Sequence, residues 1–240
     1  MDITREKFEN LIEHYQAGQY AEAEKLALCI TQSFPKNQFG WKMLGAIFAK
    51  TGRYSEALTA NQTAVFLSPQ DPEAHSNLGV MFQELGRLEE AETSHAEAIV
   101  RQPDYPVAHY NLGNTLRELN RLEDAEASYK RAIKLKPDYL EAHSNLGITL
   151  QELGKLKQAE VSYTHVIALK PDDAVAYCNL GNTLKELKRL EEAEVSYSQA
   201  IALKPDYPEA CSNLGITLQK LGKLEEAKAN FIRAITLKHD

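Results

Sequence analysis

The chain is 240 residues long, and its 27 Lys and Arg stand against 34 Asp and Glu, for a formal net charge of -7. That deficit of cations argues against a surface built to neutralise phosphates, so no nucleic-acid partner is expected. Hydrophobic residues at 43% and charged residues at 25% are ordinary globular usage, which argues against disorder. Met1 to Lys7 mixes charges of both signs and leads into no apolar stretch long enough for a signal peptide or a membrane span. Cys29, Cys178 and Cys211 form an odd set without CxxC spacing, as reduced thiols would. A cytoplasmic location and no membrane partner are therefore expected.

One period organises the chain. Gly45, Gly79, Gly113, Gly147, Gly181 and Gly215 follow one another at intervals of 34 residues, each preceded by a leucine and followed 12 residues later by an alanine, from Ala57 to Ala227. Pro69, Pro103, Pro137, Pro171 and Pro205 close the units, and Pro35 extends that series backwards. The units run over about 4–37, 38–71, 72–105, 106–139, 140–173, 174–207 and 208–240.

In chain order, the first unit departs most, with Leu11 where the others have glycine, as terminal capping repeats do. The third opens on Asp71-Pro72, an N-cap followed by proline at the first helical position. In the fifth, Ala142, Leu146, Leu150 and Leu153 recur at helical spacing over 141–153, and Gly154 stops that helix. A second helix over 156–169 turns Ala159, Tyr163, Val166 and Ile167 inward, and Gly147 and Ala159 are expected where the two helices cross closely. Gly52, Gly86 and Gly222 hold the stop position in their units, whereas Asn120 and Lys188 replace it in two others. The last unit is regular and puts Ile232, Ile235 and Leu237 on an unpartnered end face before Lys238-His239-Asp240. That pattern predicts a longer polypeptide or a homo-oligomer joined through this face, with a frayed last helix as the alternative.

The Leu-Gly pair, Phe48, Phe82 or Leu150 three residues later, then the alanine, then Tyr129, Tyr163, Tyr197 or Phe231, and the closing proline resemble the tetratricopeptide repeat over nearly the whole length. Only Trp41 matches the family's frequent tryptophan; His75, His109, His143, Tyr177 and Cys211 stand in its place. The resemblance implies an all-α fold, a single right-handed α-solenoid superhelix of about seven helix-turn-helix units over 1–240, whose first helices line a concave groove. It implies a non-enzymatic scaffold for a protein or peptide ligand, without cofactors. Similar bacterial repeats often precede transferase domains, which makes a substrate-recognition region of a larger protein one expectation. The runner-up is a structural module that stacks through its end faces.

One asparagine per unit, Asn77, Asn111, Asn145, Asn179 and Asn213, sits two residues before the glycine. A carboxamide both donates and accepts, so such a row can hold successive backbone amides of an extended peptide. It resembles the asparagine ladder in the repeat region of O-linked N-acetylglucosamine transferase. The same residues can instead bond neighbouring helices, and the sequence leaves both roles open. Asn114 with Arg117 and Asn182 with Lys185 make polar, cationic rungs; Val80, Ile148 and Ile216 with Gln83, Gln151 and Gln219 make more apolar ones. A carboxylate clamp of the chaperone-binding kind finds Lys42 and Asn77, but Ala46, Val107 and Asn111 occupy its other registers. The recurring histidines lie on successive rungs roughly 10 Å apart, too far to share a zinc ion, and are expected to pack in place of tryptophan. No phosphate loop, nucleophile elbow or HExxH is present, and no metal site is expected.

Overall fold

The computed structural model describes residues 5–239; the Thr4 start of the first unit and the terminal Asp240 lie outside them. The described residues form fourteen helices and no strand. They are α1 (Arg5–Gln16), α2 (Tyr20–Ser33), α3 (Gln38–Lys50), α4 (Tyr54–Leu67), α5 (Pro72–Glu84), α6 (Leu88–Arg101) and α7 (Pro106–Glu118), then α8 (Leu122–Leu135), α9 (Leu140–Glu152), α10 (Leu156–Leu169), α11 (Ala174–Glu186), α12 (Leu190–Leu203), α13 (Pro208–Lys220) and α14 (Leu224–His239). Two compact units divide the chain, the first ending at Asn120 and the second starting at Arg121.

Local chemistry sets the ends of these helices. Asp71 caps α5, its carboxylate accepting from the Glu73 and Ala74 amides, with Pro72 at the first position. At the end of α9, Gly154 takes a left-handed φ of 68° and the Lys155 amide reaches back to the Leu150 carbonyl at 2.8 Å. Asn120 and Lys188 adopt the same left-handed conformation, at φ 58° and 64°, although neither is glycine.

Within each unit the helices pack in sequence, α1 to α7 and α8 to α14, as in an α-solenoid. The first helices of adjacent hairpins also touch: α3 with α5 and α5 with α7, then α9 with α11 and α11 with α13. Within each unit these odd-numbered helices therefore stand side by side and share a face. The alanine column is buried throughout, from Ala57 to Ala227, and Leu11 is fully buried beside Ala23, Ala27 and Leu44.

The nearest neighbour of the glycine column is a side chain of the partner helix: a Cβ on Gly147 would come within 2.7 Å of the Tyr163 ring, and Gly181 and Gly215 face Tyr197 and Phe231 in the same way. The glycine is thus a notch for the ring sixteen residues on. In the first unit the notch holds smaller groups, Asn61 against Gly45 and His95 against Gly79.

Ion pairs tie hairpin to hairpin along the outer turns. Arg53, Lys155, Arg189 and Lys223 reach back to Glu24, Glu126, Glu160 and Glu194 at 2.6 to 2.8 Å. Arg53 and Arg189 also reach forward to Glu56 and Glu192. The hydrogen bond from Arg189 holds the Glu192 carboxyl below its usual range. These partly exposed pairs, of which only Glu126 is buried, add little stability singly but repeat in register.

Candidate functional site

The predicted asparagines lie on odd-numbered helices, Asn77 and Asn111 in the first compact unit and Asn145, Asn179 and Asn213 in the second. Each asparagine is half-buried, next to a leucine turned toward the core. Its backbone is fixed from within: the hydroxyls of Thr115, Thr149, Thr183 and Thr217 donate to the carbonyls of Asn111, Asn145, Asn179 and Asn213 at 2.8 to 3.1 Å. Those threonines are fully buried, so the helical turns of these four asparagines are anchored below the face they present, whereas Asn77 has Met81 at that position.

In the second unit the face holds a polar network. The Tyr197 hydroxyl donates to Asn182 Oδ1 at 2.7 Å, Asn213 Nδ2 donates to the same oxygen at 3.1 Å, and Lys185 Nζ donates to Asn213 Oδ1 at 3.2 Å. The Tyr163 hydroxyl donates to Gln151 Oε1 at 2.5 Å. A hollow of about 500 Å³ opens among Ile148, Gln151, Asn182, Lys185, Glu186 and Asn213. Burial, then repulsion from Lys220, lowers the Lys185 ammonium below the usual lysine range. Asn179 makes no side-chain hydrogen bond among the described residues.

In the first unit, Asn111 Nδ2 donates to Ser76 Oγ at 3.2 Å, and Gln83 bridges α5 and α7 by accepting from Thr115 at 3.2 Å and donating to Glu118 at 2.5 Å. Asn114 and Arg117 are half-buried on α7, and Asn77 lies on α5 beside a second hollow, of about 290 Å³, without a side-chain partner among the described residues. Asn111 and Asn213 therefore bond neighbouring helices. Gln151, Asn182, Lys185 and Asn213 share one site; Asn77, Gln83, Asn111, Asn114 and Arg117 belong to the other unit.

Sequence reasoning missed the tyrosine hydroxyls. Tyr163 and Tyr197 read as core residues, yet each ring passes the glycine notch and delivers its hydroxyl to a residue of the face. The signal was available: tyrosine at an inward register, where Phe231 shows that a ring without a hydroxyl also fits. Also missed is a hollow of about 400 Å³ lined by Ile133, His143, Leu146, Val161 and His165, where the two imidazoles stack at 4.1 Å.

The remaining candidates are engaged elsewhere. Lys42, the clamp residue, is paired with Asp71 at 3.2 Å and with Glu73, so its charge is neutralised on the next hairpin. The Nε2 atoms of His75, His109 and His143 lie 2.9 to 3.0 Å from the carbonyls of Pro69, Pro103 and Pro137, and Trp41 Nε1 donates to Pro35 at 2.9 Å. A ring N–H aimed at the inter-repeat proline is what histidine and tryptophan share here. Cys211 cannot supply one, and Arg233 donates to the Pro205 carbonyl instead, at 2.7 Å. Burial pushes the Cys178 thiol up to about 11. No helix among the described residues is long and apolar enough to cross a membrane.

Comparison with known proteins gives the family. A model described as "TPR repeat" matches residues 45–86, 113–154 and 181–222, and models described as "Tetratricopeptide repeat" match 76–102, 96–127, 140–173, 162–195 and 208–240. The chain belongs to the tetratricopeptide repeat family. Among solved structures it is similar to PilW, a type IV pilus biogenesis factor, at 21% identity over 88% of this chain and 97% of that one, with a TM-score of 0.80. It is also similar to MamA of Desulfovibrio magneticus RS-1, at 23% identity over 70% and 95% of the two chains, TM-score 0.67. YrrB, described as a tetratricopeptide protein with an unusual peptide-binding site, matches at 21% identity over 77% and 95%, TM-score 0.64. These likenesses show the shared fold. No curated protein matches the chain.

Proposed function

We propose that the chain is a non-enzymatic scaffold that holds an extended polypeptide against the shared face of its odd-numbered helices. Tetratricopeptide repeats are protein-interaction modules, and the peptide reading rests on one observation. In the second unit, Gln151, Asn182, Lys185 and Asn213 converge on one hollow while the Asn179 carboxamide nearby has no partner. Carboxamides, which both donate and accept, on a fixed helical spacing suit a backbone of regularly spaced amides, whose recognition needs no particular side chains. The excess of acids over bases supports a protein ligand rather than a nucleic acid.

The test is to select binders for the full chain from a displayed library of unstructured peptides and measure them by calorimetry. Converting Asn111, Asn145 and Asn179 together to Ala should weaken the selected peptides about 100-fold, at about 1 kcal/mol per lost hydrogen bond. Undiminished binding by a folded triple variant would refute the ladder.

A second reading is favoured by α14, where Leu224, Ile232 and Ile235 are 63%, 55% and 58% exposed around a hollow of about 290 Å³. Self-association through that face would appear in sedimentation as a mass that rises with concentration and falls back in Ile232→Glu. A monomer throughout would dismiss it.

A further inference from the structure

The notch column runs Asn61, His95, Tyr129, Tyr163, Tyr197, Phe231. In the second unit a tyrosine fills the notch and its hydroxyl meets a polar residue one or four positions beyond the glycine, Asn182 after Gly181 and Gln151 after Gly147. In the second hairpin all three positions are cut back together. Asn61 takes the place of tyrosine, and Ala46 and Ala49 take the places of the asparagine and the glutamine. The result is the 290 Å³ hollow of the first unit, walled by Ala46, Ala49, Val80 and Met81, with Asn61 and Asn77 among its lining residues.

That hollow is not merely vacant apolar space. Asn61 is only 2% exposed, its Oδ1 is sealed from solvent, and the side chain makes no hydrogen bond. A buried carboxamide without a partner costs on the order of 1 to 3 kcal/mol, a cost that a ligand supplying the missing bond removes. A half-turn of the amide exchanges its oxygen and nitrogen, so the floor can meet a donor or an acceptor. Tyr54 and Glu84, hydrogen-bonded to each other, stand at the rim.

We infer that this hollow is a side-chain pocket for a tyrosine of a bound polypeptide, taking from the ligand the ring that the other hairpins supply from within. The aromatic body fits between Ala46, Ala49, Val80 and Met81, and the phenol, both donor and acceptor, pairs with Asn61. Asn77 stands beside the pocket, on the ladder proposed above to hold the main chain. The inference rests on that reading for its polypeptide occupant, but the pocket can be probed without a peptide.

N-acetyl-tyrosinamide is titrated into the isotope-labelled full chain and followed by amide NMR, with N-acetyl-phenylalaninamide in parallel. Saturable shifts are expected at Ala46, Ala49, Val80 and the Asn61 side chain, with the phenylalanine compound roughly fivefold weaker for want of one hydrogen bond. The response should vanish when the pocket is filled from within, by Asn61→Tyr with Ala49→Gln, and also when it is blocked by Ala46→Met alone. It should persist in the Asn111, Asn145 and Asn179 variant, which separates this pocket from the ladder. No saturable response, equal binding of the two compounds, or a response surviving in either folded blocked variant would overturn the assignment; if the double variant does not fold, Ala46→Met decides.

Discussion

At His95 a polar ring is fully buried with neither nitrogen bonded, in a register where the second unit places tyrosine. Burial alone drives its pKa down to about 4, so the folded chain holds it neutral while the unfolded chain protonates it near 6.5. Between those values the unfolded state binds more protons. Stability contributed by this group is therefore complete above about pH 6.5 and is lost as pH falls toward 4, by about 2 kcal/mol at pH 5. Tyrosine removes the titration and meets an acceptor with a second lone pair, since Gln83, whose Oε1 accepts from Thr115, stands four residues after Gly79 as Gln151 stands after Gly147. His95→Tyr should raise stability by about 1 kcal/mol at pH 7 and by about 3 kcal/mol at pH 5. Denaturant melts at the two pH values check this; an unchanged difference between variant and parent would show that His95 does not titrate as its burial dictates. The histidine was visible in the sequence but its isolation was not, because the glycine it rests on lies sixteen residues earlier, on the partner helix.

At the scale of the helix, punctuation is what the sequence states best. The ends of α9 and α10 fall within a residue of their expected places because Gly154 and the turn before Pro171 act locally. Lateral bonds such as Asn213 to Asn182 depend on distances between hairpins that no local pattern encodes. Lys188 tests the punctuation. It ends α11 in the left-handed conformation, its amide bonded to the Lys185 carbonyl at 3.1 Å and that of Arg189 to the Leu184 carbonyl at 2.9 Å. A β-carbon there costs about 1 kcal/mol, part of which glycine returns through its looser unfolded chain. Lys188→Gly should therefore stabilise by about 0.5 to 1 kcal/mol. Lys188→Ala, which keeps the β-carbon, should stay within about 0.3 kcal/mol of the parent, since the effect belongs to φ and not to the lost charge. Thermal melts of both variants distinguish these causes.

For the molecule as a whole, one period carries both folding and site. Columns that agree every 34 residues mean that, within each compact unit, successive hairpins meet through nearly the same surfaces, so stability resides in hairpins and in the contacts between them. The alternation of the face is written over two periods: Asn182 with Lys185 differs from Ile148 with Gln151 on the hairpin before, and Ile216 with Gln219 returns on the one after. A deletion can separate these two levels. Removing residues 174–207 brings α13 onto α10 in place of α11, with Ala210 and Leu214 taking the registers of Ala176 and Leu180. Helical ellipticity per residue should be unchanged, while the total denaturant dependence of unfolding falls by roughly a seventh with the lost surface. Removing 181–214 instead, which splices Leu180 to Gly215 in mid-helix, should give an equivalent protein because the same period is taken out. Removing three residues fewer, 181–211, leaves Gly215 and Phe231 sixteen residues apart but joins Leu180 to Ser212, which puts Ala176 and Leu180 three residues out of register with Gly215 and should weaken the packing of the last hairpin on α10. Either full-period deletion also discards Asn182 and Lys185, so the polar network around Asn213 should disappear even where the fold survives. Failure of both 34-residue deletions to fold would mean that the hairpins are held by something other than their repeated columns.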